Sequence, residues 1–290
     1  MRDFVIATDS SCDLPQELAE KFELTVVPLT VNISGKVYNN YLDGREIGFK
    51  EFYDCTREKK EITTSCPSLA AFEKAFTEIL DSGKDVLYIG FSSALSATTQ
   101  NAKITAEELS EKYPDAKIIV VDSLAASMGQ GLLIKYVFDE KQKGGTIEEV
   151  AKYAEDTKLH ICHWFTVNDL MHLKRGGRVS ATTAIAGAAL NVKPVMHTDD
   201  EGRLTNVGKA RGRKASLNAL LEKMKETAVN PKEQTIYISH GDCEDEVKDF
   251  AKLIKKEVGF KEVVINYVGP VIGGHTGPGV VALFFYGTHR

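Results

Sequence analysis

The stretch VLYIGFSSALSATTQNA at residues 86–102 decides the fold class. It begins with an apolar, β-rich run, continues through a hydroxyl-rich loop, and leads into a helical pattern that extends to about Tyr113. A continuous apolar strand that is followed by a loop and a helix is typical of a parallel sheet with helices on its faces. The stretch therefore predicts one β–loop–α unit of an α/β protein.

The same unit recurs on both sides of this stretch. Apolar runs at residues 4–7, 118–121 and 236–239 each lead through a polar loop into a helical pattern, and residues 263–268 and 280–286 are also strand-like. The pattern is regular up to about Lys158 and changes from His160 onward. We therefore predict an N-terminal α/β lobe over residues 1–158, with a mainly parallel sheet flanked by helices. A C-terminal α/β lobe over residues 159–290 would hold a mixed sheet and helices.

The composition disfavours several classes of protein. The 290 residues include 36 Lys+Arg and 41 Asp+Glu, and the resulting net charge of −5 argues against a general nucleic-acid binder. No apolar run approaches the ~18 residues that identify a transmembrane helix, and the first residues reach acids and a proline too early for a signal peptide. Five cysteines without a CxxC pair suit free thiols. We expect a cytoplasmic protein.

The loops that follow the predicted strands are rich in hydroxyl groups. They are TDSS at residues 8–11, SSALS at 92–96, DS at 122–123 and HGD at 240–242. Ligands of parallel α/β sheets bind at the carboxyl ends of the strands, where the following helix presents free backbone N–H groups. The alternative interpretation of each single loop is an N-cap. Together, the loops predict a site that receives an anion.

Two further segments are candidates for this site. TTSCPS at residues 63–68 offers hydroxyl groups before a predicted helix over 69–80, and with SSALSATT it could hold one carboxylate or phosphate. GPVIGGHTGPG at 269–279 is interpreted as a glycine-rich loop that a ligand can approach closely, with His275 as its titratable side chain.

Two basic segments, residues 174–178 and 209–214, contrast with the acidic average. They could form a solvated face, contact phosphate, dock an acidic protein or bind RNA. Phosphate-loop, GxGxxG, HExxH and GxSxG motifs do not occur, and the cysteines and histidines lack zinc spacing. We therefore predict no catalytic residue, no metal and no cofactor, with Asp9 and Asp13 left as an alternative acid–base pair.

The motifs, in this order, resemble the DegV family of bacterial fatty-acid-binding proteins, which includes the carrier (B) subunit of bacterial fatty acid kinase. They are TDSSCDLP at 8–15, TSCPS at 64–68, SSALSATTQNA at 92–102, DSLAASMGQG at 122–131, DLMHLKRGGRVS at 169–180, NVKP at 191–194, KARGRKA at 209–215 and GPVIGGHTGPG at 269–279. Cys66 stands where the family's motif usually has glutamine, and Ala97 stands where it usually has glycine.

The resemblance implies a long-chain fatty acid at the junction of the two lobes, with its acyl chain in an apolar tunnel and its carboxyl group among hydroxyl groups. It implies that Thr64, Ser96 and His275 bind the ligand. Further candidates for ligand contact are Ser93, Gly274, Thr276 and Arg211, the last of which would lie near the headgroup after phosphorylation. Arg175 and Arg178, in the RGGR motif, would dock an ATP-dependent fatty acid kinase subunit.

We therefore predict a non-catalytic carrier that presents the carboxyl group of its fatty acid to a kinase, which converts it to an acyl phosphate. Burial of the tail is worth about 0.8 kcal/mol per CH₂, and small neutral donors can satisfy a carboxylate that would otherwise be costly to bury. Two alternatives stay open: a stand-alone hydrolase or transferase that acts on a phosphorylated small molecule, and an RNA-associated or regulatory protein.

Overall fold

The computed structural model describes residues 2–180 and 191–290. The strands are β1 (Phe4–Asp9), β2 (Thr25–Val27), β3 (Thr30–Ile33), β4 (Lys36–Asn39), β5 (Ile62–Ser65), β6 (Asp85–Gly90), β7 (Ile118–Asp122), β8 (Ile161–Thr166), β9 (Val192–Thr198), β10 (Leu204–Arg211), β11 (Thr235–His240), β12 (Glu262–Tyr267) and β13 (Val281–Tyr286). The helices are α1 (Gln16–Lys21), α2 (Phe49–Arg57), α3 (Leu69–Asp81), α4 (Thr98–Lys112), α5 (Met128–Gln142), α6 (Ile147–Thr157), α7 (Met171–Arg175), α8 (Arg213–Thr227), α9 (Glu244–Glu257) and α10 (Pro270–Thr276).

The first sheet is parallel and has the strand order β2-β1-β6-β7. Every residue of β6 is buried, as its continuous apolar run predicts. Val86 and Tyr88 share a core with residues of α3 and α4, whereas Leu87 and Ile89 share a core with residues of α5 and α6. Since alternate side chains of a strand point to opposite faces, the helices cover both faces of this sheet.

The second sheet is mixed and has the strand order β10-β9-β8-β13-β11-β12. The β11–β12 pair is parallel, and the other neighbours are antiparallel. One core joins this sheet to α8 and α9, and the core around α5 joins its other face to the parallel sheet. The predicted α/β fold with a parallel and a mixed sheet is confirmed, and the division at residues 158 and 159 stays a prediction.

A third sheet, with the antiparallel order β4-β3-β5, was not predicted from the sequence. Its strands are short and carry polar side chains such as Thr63 and Asn32, so their apolar alternation is weak. The segment TTSCPS, interpreted as a helix start, is strand β5 followed by the cap. The Ser68 hydroxyl oxygen accepts a hydrogen bond from the N–H of Ala71 at 3.2 Å, which confirms the start of α3.

The glycine-rich segment at residues 269–279 is not a loop throughout, because Pro270–Thr276 forms α10. Pro270 occupies the first turn, where its fixed φ suits a helix and its missing N–H costs nothing. A Cβ at Gly273 would lie 2.7 Å from Cε1 of Phe52, so this glycine lets α10 pack directly against α2. Across residues 2–180 and 191–290, no helix combines the length and the apolar character that crossing a membrane requires.

Candidate functional site

The residues predicted to hold an acidic group include one direct pair. The Oγ1 atom of Thr64 lies 2.9 Å from Nε2 of His275. Thr64 is on β5, where it alternates with the exposed Thr63 and so shares the inward face with Ile62. His275 lies in the last turn of α10, which packs against β5 because Gly274 approaches Cγ2 of Ile62 closely. Two of the segments predicted to contribute to the ligand site, TTSCPS and the glycine-rich segment, therefore meet.

This pair borders a cavity of about 360 Å³, which we call the apolar cavity. Its apolar walls include Leu29, Phe91, Leu173, Leu204, Val271 and Ile272. Its polar lining includes Thr64, Ser96, Arg178, His275 and Thr276. A volume of this size lies within the range of small-molecule sites, and an apolar wall with a few convergent polar groups is their usual composition.

His275 is a neutral imidazole at physiological pH. Burial and, to a smaller extent, the nearby Arg178 guanidinium lower its pKa from 6.5 to about 4. A neutral imidazole carries one N–H donor and one acceptor nitrogen. Gly176 lies against the other side of this ring, since a Cβ at Gly176 would overlap Nδ1 of His275. Gly176, the first glycine of the RGG sequence, thus lets the backbone approach the imidazole more closely than any other residue type would. This role is evident from the folded structure and not from the sequence.

Arg178 forms part of the cavity wall, although the sequence predicted it on a docking surface. Its Nε donates a hydrogen bond to the carbonyl oxygen of Leu95 at 3.1 Å, and a second guanidinium nitrogen donates to the carbonyl oxygen of Gly176. Burial lowers the pKa of its guanidinium, which nevertheless stays charged. Arg178 therefore brings a positive charge to the polar end of the cavity and links the loop after β6 to the end of α7.

The hydroxyl groups of Ser96 and Thr276 also line the cavity but have partners in the protein. Oγ of Ser96 lies 2.8 Å from Oγ1 of Thr98 and accepts a hydrogen bond from the N–H of Thr98 at 3.3 Å. Thr276 donates its hydroxyl proton to the carbonyl oxygen of Ile272 at 3.1 Å. Ser96 can still donate to a ligand, whereas Thr276 offers its lone pairs.

The two residues that depart from the family's usual motifs, Cys66 and Ala97, line the same cavity. Asn101 on α4 ties their segments together, since its side-chain amide donates to the carbonyl oxygen of Pro67 at 2.9 Å and approaches Sγ of Cys66 at 3.5 Å. Because both side chains face the cavity, their sizes affect the shape of the space available to a ligand.

Three predicted residues lie outside the apolar cavity. Ser93 is exposed, and its N–H donates to the Asp122 carboxylate at 3.3 Å. Arg211 is exposed at the end of β10 and is not among the residues that line the cavity. Gly274 lies beside the apolar cavity, where it lets α10 pack closely against β5. The structure thus brings together Thr64, Ser96, His275 and Thr276, and not Ser93 or Arg211.

A second, polar depression of about 890 Å³ adjoins the first, and we call it the basic cleft. Thr64, Arg178 and His275 line both spaces and so form their common wall. Arg175 lines the basic cleft, is exposed, and places a guanidinium nitrogen 3.1 Å from Nδ1 of His172. The cationic surface of the basic cleft therefore adjoins the polar end of the apolar cavity.

The hydroxyl-rich loop after β1 has a structural role. The Asp9 carboxylate accepts hydrogen bonds from the Tyr88 hydroxyl at 2.6 Å, the Phe91 N–H at 3.0 Å and the Gln130 side-chain amide at 3.2 Å. Asp9 is fully buried in this network. Its oxygens are thus engaged in joining β1 to β6 and α5, which does not favour a role as a catalytic acid or base.

Asp13, the other carboxyl group of that alternative pair, is also buried. Burial raises its pKa to about 8, so it is mainly protonated at neutral pH. The Ser127 hydroxyl lies 2.6 Å from its carboxyl oxygen, and the void that it borders measures about 10 Å³. This space is too small for a substrate.

The structure also bears on the basic segment at residues 209–214 and on metal binding. Arg213, in the basic segment at residues 209–214, forms an ion pair with Glu246 at 2.6 Å, so part of that charge is compensated within the chain. Among residues 2–180 and 191–290, no cluster of three or more His, Cys, Asp or Glu side chains could hold a metal ion.

The fold and the site define an α/β protein with a ligand-sized apolar cavity whose polar end carries hydroxyl groups, a neutral imidazole and a guanidinium group. The family model described as "Uncharacterised protein, DegV family" matches residues 3–288. A DegV domain-containing protein of Clostridium perfringens is 43% identical over 287 residues, which cover 99% of this chain and 98% of the relative. The chain belongs to the DegV family.

Several solved structures are similar to this chain over nearly its whole length. A DegV family protein from Thermus thermophilus, described in terms of fatty acid binding, has a TM-score of 0.89 and 33% identity, covering 99% of this chain and 100% of that chain. A stearic acid-binding protein from Eubacterium ventriosum has a TM-score of 0.87 and 28% identity, with 97% of each chain covered. DegV from Bacillus subtilis, described as a fatty acid binding protein, has a TM-score of 0.85 and 27% identity, covering 98% and 99%.

Proposed function

We propose that this protein binds a long-chain fatty acid in the apolar cavity, with the carboxyl group at Thr64 and His275. The observation that carries the proposal is the 2.9 Å Thr64–His275 pair at the polar end of an otherwise mainly apolar space. The cavity takes residues such as Thr64 and Ser96 from the predicted lobe over residues 1–158, and Leu173 and His275 from the one over 159–290. This supports a ligand at the junction of the two predicted lobes.

The polar end can hold a carboxylate through neutral donors. When Nε2–H of His275 donates to Oγ1 of Thr64, the Thr64 hydroxyl proton is free to be donated to the ligand. Ser96 supplies a second hydroxyl group, and the half-buried Arg178 supplies a positive charge on the same wall. Hydrogen bonds to a charged group are worth about 1.5–3 kcal/mol each, and such donors offset the cost of removing the carboxylate from water.

The apolar walls account for the affinity for a long chain. Removing about fourteen methylene groups from water contributes roughly 11 kcal/mol, at about 0.8 kcal/mol per CH₂, before the costs of association and of ordering the chain are subtracted. A short acid would accept the same hydrogen bond from Thr64 but would lose most of this free energy of burial. We therefore propose that chain length dominates the selection of the ligand.

We further propose that the protein is a non-catalytic, cytoplasmic carrier that presents the bound carboxyl group to an ATP-dependent kinase subunit. In that reaction a carboxylate oxygen attacks the γ-phosphorus of ATP, the bond between this phosphorus and the β,γ-bridging oxygen breaks, and acyl phosphate and ADP are formed. The basic cleft supports this proposal, because it adjoins the Thr64–His275 wall and carries the exposed Arg175.

Native mass spectrometry after mild purification tests fatty acid binding. We expect one molecule of a long-chain fatty acid on the wild-type protein. Ala126 lines the apolar cavity, so Ala126→Phe should fill it and abolish retention, whereas Ala70→Phe on the exposed face of α3 should not. A protein that retains no lipid and binds no added palmitic acid, or an Ala126→Phe variant that folds and still binds it, would contradict the proposal.

The kinase step is tested separately. A purified fatty acid kinase subunit that is loaded with ATP should phosphorylate palmitic acid only when the carrier is added, and ADP release should follow the concentration of the loaded carrier. Phosphorylation at the same rate without the carrier would refute the presentation of the carboxyl group while leaving fatty acid binding intact.

A further inference from the structure

Asp13 is a buried carboxyl group that the proposed function does not use. It lies in the turn between β1 and α1 and is 3% exposed. Its backbone carbonyl oxygen accepts a hydrogen bond from the side-chain amide of Asn266 on β12 at 2.8 Å. A turn of the predicted lobe over residues 1–158 is therefore tied to the mixed sheet.

The carboxyl group of Asp13 belongs to a chain of hydrogen bonds that connects further elements. Oγ of Ser127, directly before α5, lies 2.6 Å from Oδ2 of Asp13 and 3.0 Å from Oγ of Ser239 on β11. Ser127 has a φ of 53° and a ψ of −147°, a combination that is strained for a residue with a side chain. Such a conformation persists only where the surroundings enforce it, and these two contacts do so at the start of α5.

The same carboxyl group contacts the residue that precedes α10. The N–H of Gly269 donates a hydrogen bond to it, and a Cβ at Gly269 would lie only 2.6 Å from Oδ1 of Asp13. The next contact along the chain is a hydrogen bond of 2.8 Å from the Tyr53 hydroxyl on α2 to the carbonyl oxygen of Val268. Since His275 lies in the last turn of α10, the position of Gly269 affects the position of the imidazole.

The surroundings of Asp13 suit a neutral carboxyl group better than a carboxylate. Burial raises its pKa to about 8, and the Asp9 carboxylate acts in the same direction, whereas the hydrogen bonds from Ser127 and Gly269 lower this pKa by less. Within residues 2–180 and 191–290, Asp13 forms no ion pair. The titratable side chains around it come from its own segment, the loop after β4, α2 and β12, and none of them is cationic: Asp9, Cys12, Tyr41, Tyr53 and Tyr267.

A carboxylate at this position could not be hydrated without a change in structure. The void beside Asp13 measures about 10 Å³, which leaves room for at most one water molecule. Gly269 borders this void, so water that reaches the carboxylate would enter where α10 begins.

We propose that Asp13 is a positioning residue, whose protonated carboxyl group holds the start of α10 and whose ionisation releases this helix and the bound fatty acid. Movement of α10 would separate His275 from Thr64 on β5. The release of the fatty acid rests on the proposed function, whereas the movement of α10 does not.

The first test measures the affinity for palmitic acid at pH 7 and pH 9 by displacement of a fluorescent fatty acid. The proteins are the wild type, Asp13→Asn and the control Asp115→Asn, which changes an exposed carboxylate before β7. About a tenth of Asp13 is protonated at pH 9, so the wild type and the control should bind about tenfold more weakly than at pH 7. Asp13→Asn is neutral at both pH values and should bind equally at both.

The second test follows the exchange of the backbone amides of α10 by mass spectrometry, without lipid. Each protein is compared with the others at the same pH, so that the intrinsic exchange rates cancel. At pH 9 we expect α10 to exchange faster in the wild type than in Asp13→Asn, and at pH 7 we expect equal rates. The amides of α3 are the reference within each protein, so a gain in α10 over α3 in the wild type alone also supports the proposal if Asp13→Asn does not fold.

Equal affinity of the wild type at pH 7 and pH 9, or the same decrease in Asp13→Asn, would overturn the proposal. If palmitic acid binds at neither pH, the proposed function is refuted and the exchange data alone decide the role of Asp13. In that case, faster exchange of α10 at pH 9 that Asp13→Asn lacks supports the positioning role, and equal exchange in the two proteins overturns it.

Discussion

The Thr64 hydroxyl oxygen lies 2.9 Å from Nε2 of His275, although 211 positions separate the two residues in the chain. The contact joins β5 of the small antiparallel sheet to α10. Two glycines make it possible, because Gly274 lets α10 approach β5 and Gly176 leaves room for the imidazole on its other side. Three distant segments thus fix one pair of donors at the end of the apolar cavity.

Removal of the Thr64 hydroxyl should weaken fatty acid binding. Thr64→Val keeps the shape and the β-branching that suits β5 but cannot donate a hydrogen bond to the carboxylate. Loss of one hydrogen bond to a charged group corresponds to at least about tenfold in the dissociation constant. Ser96→Ala and His275→Ala should act in the same direction, and the control Thr25→Val on β2 should not. Displacement of a fluorescent fatty acid measures these constants, and unchanged affinity in all three site variants would rule out this carboxyl site.

Gly176→Ala should disturb the same pair from a distance. The added Cβ would occupy the place of Nδ1 of His275, so the imidazole or the end of α7 must move. We expect loss of the Thr64–His275 hydrogen bond and fatty acid affinity close to that of His275→Ala. Gly48→Ala is the matched control, since a Cβ at Gly48 has no atom within 4 Å. Nitrogen-15 spectra of the imidazole follow the bond directly, and spectra identical to those of the wild type would show that Gly176 does not position His275.

The low pKa of His275 predicts a loss of stability in acid. The unfolded chain binds a proton at this residue below its ordinary pKa of 6.5, whereas the folded protein does so only below about 4. The unfolded state therefore binds more protons between these values, so the contribution of His275 to the free energy of unfolding is complete above pH 6.5. It decreases as the pH falls to about 4 and is constant below that value. The decrease amounts to about 3 kcal/mol.

Urea denaturation at pH 7 and pH 4 measures this contribution by comparison of variants. His275→Asn should show a smaller loss of stability between the two pH values than the wild type does. The exposed His289 provides the control, and His289→Asn should follow the wild type. Equal pH dependence in the wild type and in His275→Asn would contradict the neutral, buried state assigned to this imidazole.

The two arginines of the RGGR motif should have separable effects. Arg178 lies on the cavity wall and is anchored to Leu95, so Arg178→Ala should weaken fatty acid binding by about tenfold, the loss of one charge-assisted contact. Arg175 is exposed in the basic cleft, so Arg175→Ala should leave fatty acid affinity within about twofold but lower the rate of kinase-supported acyl phosphate formation severalfold. If instead Arg175→Ala weakens fatty acid binding and Arg178→Ala lowers only the rate of acyl phosphate formation, these roles of the two arginines are wrong.

The sequence predicted an α/β fold with a parallel and a mixed sheet because apolar runs of four to seven residues, such as 86–91 and 280–286, alternate with helical patterns. It did not predict β3, β4 and β5, whose few apolar side chains, such as Val31 and Ile33, share a small core with residues of α2. It also did not predict α10, because glycine-rich segments are poor helices in isolation and this one is stabilised by tertiary packing.

The candidate site could be predicted only in part, for a related reason. Motifs identified Thr64, Ser96 and His275 as donors, and the fold brings these three to one cavity. Which side chains face the apolar cavity depends on local hydrogen bonds. Ser93 therefore lies outside this cavity, whereas Arg178 lies on its wall. The role of Gly176 is a contact between segments about a hundred residues apart, which no local pattern encodes.

A crystal structure of the protein with a brominated long-chain fatty acid tests the central claim most directly. Anomalous scattering locates the bromine, and the electron density locates the carboxyl group. We predict bromine between the apolar walls formed by Leu29, Phe91 and Ile272, and a carboxyl oxygen within hydrogen-bond distance of Oγ1 of Thr64. Bromine elsewhere in the molecule, or a carboxyl group remote from Thr64 and His275, would contradict the account.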